Sequence, residues 1–282
     1  MNHLFRELAP ISDEAWSQLD EDARTRLVTY LEGRRLVDFS GPHGWEHSSV
    51  NLGRIEAVPD PPEMGDVPEL GDLPSPGAEA ATRVVRPLVE LRVPFTLSRA
   101  ALDGAARGNP SIDLEGLDLA ARTIATSENV AVFHGWAAAG IEGISAASSH
   151  EPIPASRSDW MAYPQSVARG VERLALAGVG GPYGLALGND TWVGVVETTE
   201  QGSILFEHLG KILGGGPIVR APGVAGGVVI SQRGGDFQFV SGQDLSIGFR
   251  SSDAGTVTLY LEETFTFNVL DPTAAILLKP SS

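Results

Sequence analysis

Apolar residues recur at helical spacing close to the N-terminus. Trp16, Leu19, Ala23, Leu27 and Tyr30/Leu31 form one stripe. Ser12 precedes them as a helix cap, and Asp13 and Glu14 sit where the helix dipole favours acid. The pattern predicts an amphipathic helix from Ser12 that Gly33 ends. A second helical pattern runs through Leu117, Ala120/Ala121, Ile124, Ala131/Val132 and Trp136, with Asp113 as its cap and Gly140 as its close. A third starts at Pro164, which suits a first helical turn, and carries Val167, Val171 and Leu174 to Gly178. The strongest period-two signal is "TVTLYLEETFTFNV". Val257, Leu259, Leu261, Phe265, Phe267 and Val269 mark one face, broken only by Glu263; Thr256, Thr258, Tyr260, Glu262, Thr264, Thr266 and Asn268 mark the other. Helices and strands mix without a regular βαβ rhythm, so the expected class is α+β.

Between the strand-like texts "NLGRIEAV" and "RVVRPLVELRVPFTL" lies "VPDPPEMGDVPELGDLPSPG". Its six prolines forbid a helix or a central strand. A long hairpin arm with a loose tip is expected, and an arm that leaves its domain buries its flanks on a neighbour. The tip is acidic: Glu56, Asp60, Glu63, Asp66, Glu69, Asp72 and Glu79 follow Arg54 with no Lys or Arg before Arg83. That reads as a solvated loop.

Charge and composition narrow the function. The 282 residues carry a formal net charge of −16, which makes nucleic acid and anionic membranes poor partners. Cysteine is absent, so disulfides, thiolate catalysis and Cys-ligated zinc are excluded. No run reaches membrane-spanning length, and "MNHLFRELAPISDEAW" lacks a secretory h-region. A cytoplasmic protein is expected.

The motifs that suggest chemistry are incomplete. "GGDF" at Gly234–Phe237 has one carboxylate, Asp236, and reads as a hairpin turn between "VVISQR" and "FQFVS". "GVGGPYG" has Tyr183 where a dinucleotide fingerprint needs glycine, and "GKILGGG" lacks the Ser/Thr of a phosphate loop. "GISAA" lacks the closing glycine of a nucleophile elbow. "HGWEH" has the spacing of an inverted zinc motif, but Gly41-Pro42 and Gly44 oppose the helix that would aim His43 and His47 at one metal. No metal is expected.

Taken in order, "LAPISDEAW", "GRRLVDFSGPHGWEH", "LVELRVPFTLSRAALDGAARGNPSIDL", "GGPYGLALGNDTW", "RGGDFQFVSGQDLSIGF" and "LYLEETFTFNVLDPTAAILLKP" resemble the encapsulin family across essentially the whole chain. These are shell proteins of nanocompartments with the HK97-type fold of tailed-phage major capsid proteins. The resemblance implies residues 1–46 as the N-terminal helix and arm of a peripheral domain, 47–94 as an extended loop, 95–139 as the spine helix, 140–225 as an axial domain and 226–282 as returning peripheral strands. The extended loop looks longer than usual around Glu63–Ala80. The resemblance also implies self-assembly into the simplest icosahedral shell, a T=1 60-mer.

Two family sites carry over by position. A cargo groove on the inner wall takes a C-terminal peptide of the enclosed enzyme, a dye-decolourising peroxidase or a ferritin-like protein. Its matching positions are Leu27, Tyr30, Leu31, Arg34, Asp38, Leu245, Ile247 and Phe249, with Arg34 and Asp38 fixing the peptide ends. A five-fold pore loop matches Thr199, Glu200, Gln201, Gly202 and Ser203, with one Glu200 per copy making an acidic ring. The chain departs from the family at Ala100, which stands where some members stack a flavin on tryptophan, so no cofactor is expected. The competing classes are a prophage-type capsid, which the net charge disfavours, and a hydrolase or bacteriocin, for which no competent site is found.

Overall fold

The first helix starts where its cap chemistry puts it. In the computed structural model, which describes residues 3–59, 79–200 and 203–281, α1 spans Asp13–Val28 and the Ser12 hydroxyl accepts the Ala15 N–H at 3.3 Å. Trp16, Leu19, Ala23 and Leu27 are buried as the spacing requires. The helix ends at Val28, short of the expected Gly33. Gly33–Arg35 instead form a 3-10 turn, whose Gly33 N–H donates to the Asn129 side chain at 3.0 Å. Removing the cap with Ser12→Ala is expected to cost about 1 kcal/mol, read as a lowered thermal midpoint of the purified protein.

The long strand organises the first sheet. It joins β1 (Asp38–Ser40), β4 (Val89–Ser98), β11 (Phe237–Ser241), β12 (Ser246–Ser252) and β13 (Thr256–Val269). β13 pairs antiparallel with β4 along one edge and with β12 and then β11 along the other; β1 runs parallel to β11. The polar face of β13 does not meet solvent along most of its length. Glu262, Thr264, Thr266 and Asn268 are all buried. Remote chain covers part of that face: the Gly44 N–H donates to the Gly242 carbonyl, Leu88 packs against Gly242 beside Thr264, and His3 reaches Glu262. The apolar face packs on α3 (Glu115–His134), with α2 (Arg99–Ala106) beside β4. The Asp113 carboxylate accepts the Glu115 N–H at 3.1 Å. The helix stops at Gly135 (φ 88°) rather than at Gly140, because Trp136 turns out to bridge Ile141.

A second sheet has the order β5 (Ile153–Ser156), β14 (Ala275–Ser281), β10 (Gly227–Ser231), β6 (Tyr183–Leu187), β9 (Ile218–Arg220). Around it lie α4 (Ile144–Ala147), α5 (Tyr163–Leu176), α6 (Asn189–Glu197) and α7 (Leu205–Ile212). Pro164 sits in the first turn of α5, as expected. The sheet takes β10 and β14 from beyond residue 226, so it crosses the division drawn there from sequence. The same fact corrects the hairpin expected at Gly234–Phe237. Gly234 and Gly235 do turn with φ of 81° and 82°, but β10 and β11 belong to different sheets and the turn links them.

The arm is a two-stranded antiparallel ribbon, β2 (Ser49–Val58) with β3 (Ala80–Pro87), and the stretch 60–78 between them lies outside the described residues. Ile55 and Val85 are 72% and 53% exposed on it. A final small ribbon pairs β7 (Thr199–Glu200) with β8 (Ser203–Ile204). Among the described residues no helix is long and apolar enough to cross a membrane.

Candidate binding groove

α1 and β12 diverge enough to leave a groove of about 700 Å³ between them. One wall is the outer side of α1, where Ala23, Leu27 and Val28 lead to Leu31. The other is the start of β12, with Leu245, Ser246 and Ile247; Leu261 of β13 contributes below. The N-terminal segment crosses one end. The Leu4 carbonyl accepts the Phe249 N–H at 2.8 Å and the Arg6 Nε donates to the Ile247 carbonyl at 2.8 Å, so the edge of β12 is partly occupied. Arg6 also pairs bidentately with Asp20 and lies over the Trp16 ring at 4.5 Å.

At the opposite end the groove meets a buried ionic cluster. Arg34 holds Glu128 of α3 through Nε and Nη2, Glu263 of β13 through Nη2 at 2.9 Å, and Asp244 through Nη1 at 2.7 Å. Glu128 and Glu263 are 0% and 1% exposed. Phe39 and Phe239 flank the guanidinium at 5.2 and 4.9 Å. Burial alone would lower the Arg34 pKa, but attraction to Glu128, then Glu263 and Asp244, outweighs it and raises it. Burial, and then the neighbouring Glu128, hold the Glu263 carboxyl well above the usual carboxylate range, against the pull of Arg34.

Of the eight positions expected at the groove, the structure brings together Leu27, Leu31, Arg34, Leu245 and Ile247. Leu27 and Ile247 are 5% and 1% exposed and belong to the core; the reachable apolar surface is Val28, 68% exposed, with the partly buried Leu31 and Leu245. Tyr30 turns towards α3, its carbonyl accepting from Asn129 at 2.8 Å and its ring lying under Arg122. The Asp38 carboxylate accepts the Gly235 N–H at 2.6 Å and tethers the Gly234-Gly235 turn. Phe249 faces a separate hollow with Phe5, Arg92 and Tyr260. Arg34 is engaged by carboxylates of its own chain rather than standing free at a groove end. Sequence reasoning missed Val28, Arg6, Asp20 and Asp244. Only one local signal pointed to the cluster: Glu263 interrupting the apolar side of its strand.

The remaining candidates fall elsewhere. Thr199 and Glu200 pair with Ile204 and Ser203 after α6, while Gln201 and Gly202 lie outside the described residues. Trp192 of α6 meets Phe206 edge-on at 5.6 Å. His43 and His47 tilt together at 4.8 Å in irregular chain, and His43 exchanges a hydrogen bond with Ser40. Among the described residues no group of three or more His, Asp or Glu is arranged to hold a metal. Asp236 is bound bidentately by Arg233, and Ala100 is exposed in the first turn of α2.

Residues 1–266 match the model of a family described as encapsulating protein for peroxidase. A type 1 encapsulin shell protein of Rhodospirillum rubrum is 44% identical over 286 residues, covering 99% of this chain and 97% of that one. One of Brevibacterium linens is 40% identical, with 99% of each covered. The crystal structure of a virus-like particle from Pyrococcus furiosus superposes with a TM-score of 0.62 at 14% identity, covering 94% of this chain and all of that one.

Proposed function

The chain belongs to the encapsulin shell-protein family, and on that premise we propose that its copies close into a T=1 60-mer in the cytoplasm that takes in a cargo enzyme through the groove between α1 and β12. The observation that carries the assembly is the arm. A lone two-stranded ribbon is marginal in water, and this one exposes Ile55, Val58 and Val85. A neighbouring copy is the surface that would bury them. Size-exclusion chromatography with negative-stain microscopy tests this; a monomer or dimer at micromolar concentration would refute it.

The role is non-catalytic, and the enclosed protein, a dye-decolourising peroxidase or a ferritin-like protein, supplies the chemistry. Its C-terminal peptide lays apolar side chains against Val28, Leu31 and Leu245, with Arg24 at the mouth as an exposed cation. Five copies of the ribbon of β7 and β8 line a pore whose one Glu200 per copy favours cations. A charge at the core residue Ile247 would test folding rather than loading. Leu245→Asp is the better probe. It is expected to reduce the protein that co-purifies with shells from the native host at least tenfold, with particle diameter unchanged. Undiminished loading would remove the groove assignment.

A further inference from the structure

Three carboxylates share one cation beneath the groove. Arg34 Nη2 reaches Glu128 Oε2 at 2.6 Å and Glu263 Oε2 at 2.9 Å, so two fully buried acids meet at a single nitrogen. The charged groups facing the pair are Arg34 from the 3-10 turn and Asp244 from the loop before β12. β4 places Leu91 opposite Glu263, and β1 and β11 bring Phe39 and Phe239 to the guanidinium. One guanidinium cannot neutralise three carboxylates, and the buried Glu263 Oε1 has no hydrogen-bond partner. Ionising all three would leave two uncompensated negative charges, at least one of them on the Glu128–Glu263 pair, where water does not reach.

Asp244 is the outer member, 43% exposed, and the one that can swing to solvent. It also builds the groove. Its Oδ1 accepts the Leu245 N–H at 2.9 Å and its carbonyl accepts the Ser246 hydroxyl at 2.8 Å. The bond from Arg34 to Asp244 therefore fixes the loop that presents Leu245.

We infer that this cluster couples the groove wall to proton binding. With a proton on Glu263, Arg34 holds Asp244 and the Leu245 wall in place. When that proton passes to solvent base, the added buried charge repels Asp244 outward and the wall loosens. The raised pKa of Glu263, caused by burial and then by Glu128, places the loosening on the alkaline side. The consequence for cargo rests on the groove reading above; the coupling itself does not.

Hydrogen exchange on assembled particles near pH 6 and near pH 9, corrected for the intrinsic base-catalysed rate, tests it. In the wild type, protection across residues 243–248 is expected to fall about tenfold at the higher pH while α5 stays unchanged. Glu263→Gln, which keeps a neutral side chain at both pH values, is expected to hold its protection. Glu128→Gln serves as the second variant should the first fail to assemble. A wild type with no extra loss at 243–248, or an equal loss in the Gln variants, overturns the coupling. If the wall loosens and co-purifying cargo stays bound, the coupling stands and the groove reading fails.

Discussion

Arg34→Met is expected to destabilise the subunit by about 3–5 kcal/mol, a fall in thermal midpoint on the order of 10 °C. The cost arises from what remains. Glu128 and Glu263 are 0% and 1% exposed, and without the guanidinium they are buried charges with no cation. Glu263, whose carboxyl burial already holds well above the ordinary range, loses the pull of Arg34 and is driven to the neutral form, so the penalty depends on pH with a definite sign. Below the ordinary carboxylate value of 4.5 Glu263 is protonated folded or unfolded, and the gap between variant and wild type narrows. As pH rises the unfolded chain releases protons that the folded variant must keep, and the gap widens. Arg34→Lys is expected to recover only part of the loss, because one ammonium cannot reproduce the three-nitrogen grip on Glu128, Glu263 and Asp244. Thermal unfolding of purified particles across pH reads all of this. A Met variant within about 2 °C of wild type at neutral pH would show that the cluster carries no net stability.

The cluster also marks how far the sequence reaches. Local chemistry was legible: Ser12 starts α1, Pro164 starts α5, and the glycines at 234 and 235 turn with positive φ. Ends and pairings set by distant chain were not. Arg34 finds its carboxylates 94, 210 and 229 residues away, so a cation that looked free for a peptide is engaged inside its own subunit. Helix α1 ends where the distant Asn129 takes the Tyr30 carbonyl and the Gly33 N–H, a choice Gly33 alone did not reveal. The alternation in β13 gave its apolar face correctly. Part of the burial of its other face, at Glu262 and Thr264, comes from His3, Leu88 and the chain at Gly44, which no periodicity within the strand encodes. The Gly-Gly-Asp turn had the right dihedrals and the wrong partner, because membership of a sheet is a non-local property. Of the groove, the apolar stripe of α1 was readable. What remains reachable was not: Leu27 of the stripe is buried when the helix docks, as is Ile247 of β12, while Val28, off the stripe, stays exposed.

Phe239→Ala is the second large effect, at about 3–5 kcal/mol. The ring is 0% exposed and stacks between Phe39 at 5.7 Å and Phe265 at 5.1 Å, so truncation leaves a cavity between two planes held by strand pairing. Phe239→Leu, which keeps most of the volume, is expected to cost less than half as much. The two large effects are not independent, because Arg34 lies 4.9 Å from the same ring. Removing the ring deprives the guanidinium of one of its two aromatic flanks; removing the guanidinium leaves the ring facing bare carboxylates. The double variant Arg34→Met/Phe239→Ala is therefore expected to lose less than the sum of the singles, by about 0.5–3 kcal/mol, in denaturant unfolding of the purified protein. Additivity within about 0.5 kcal/mol would separate the aromatic stack from the ionic cluster. Coupling would mean that β11, whose far end runs into Gln243 and Asp244, is held by the same cation that positions the groove wall.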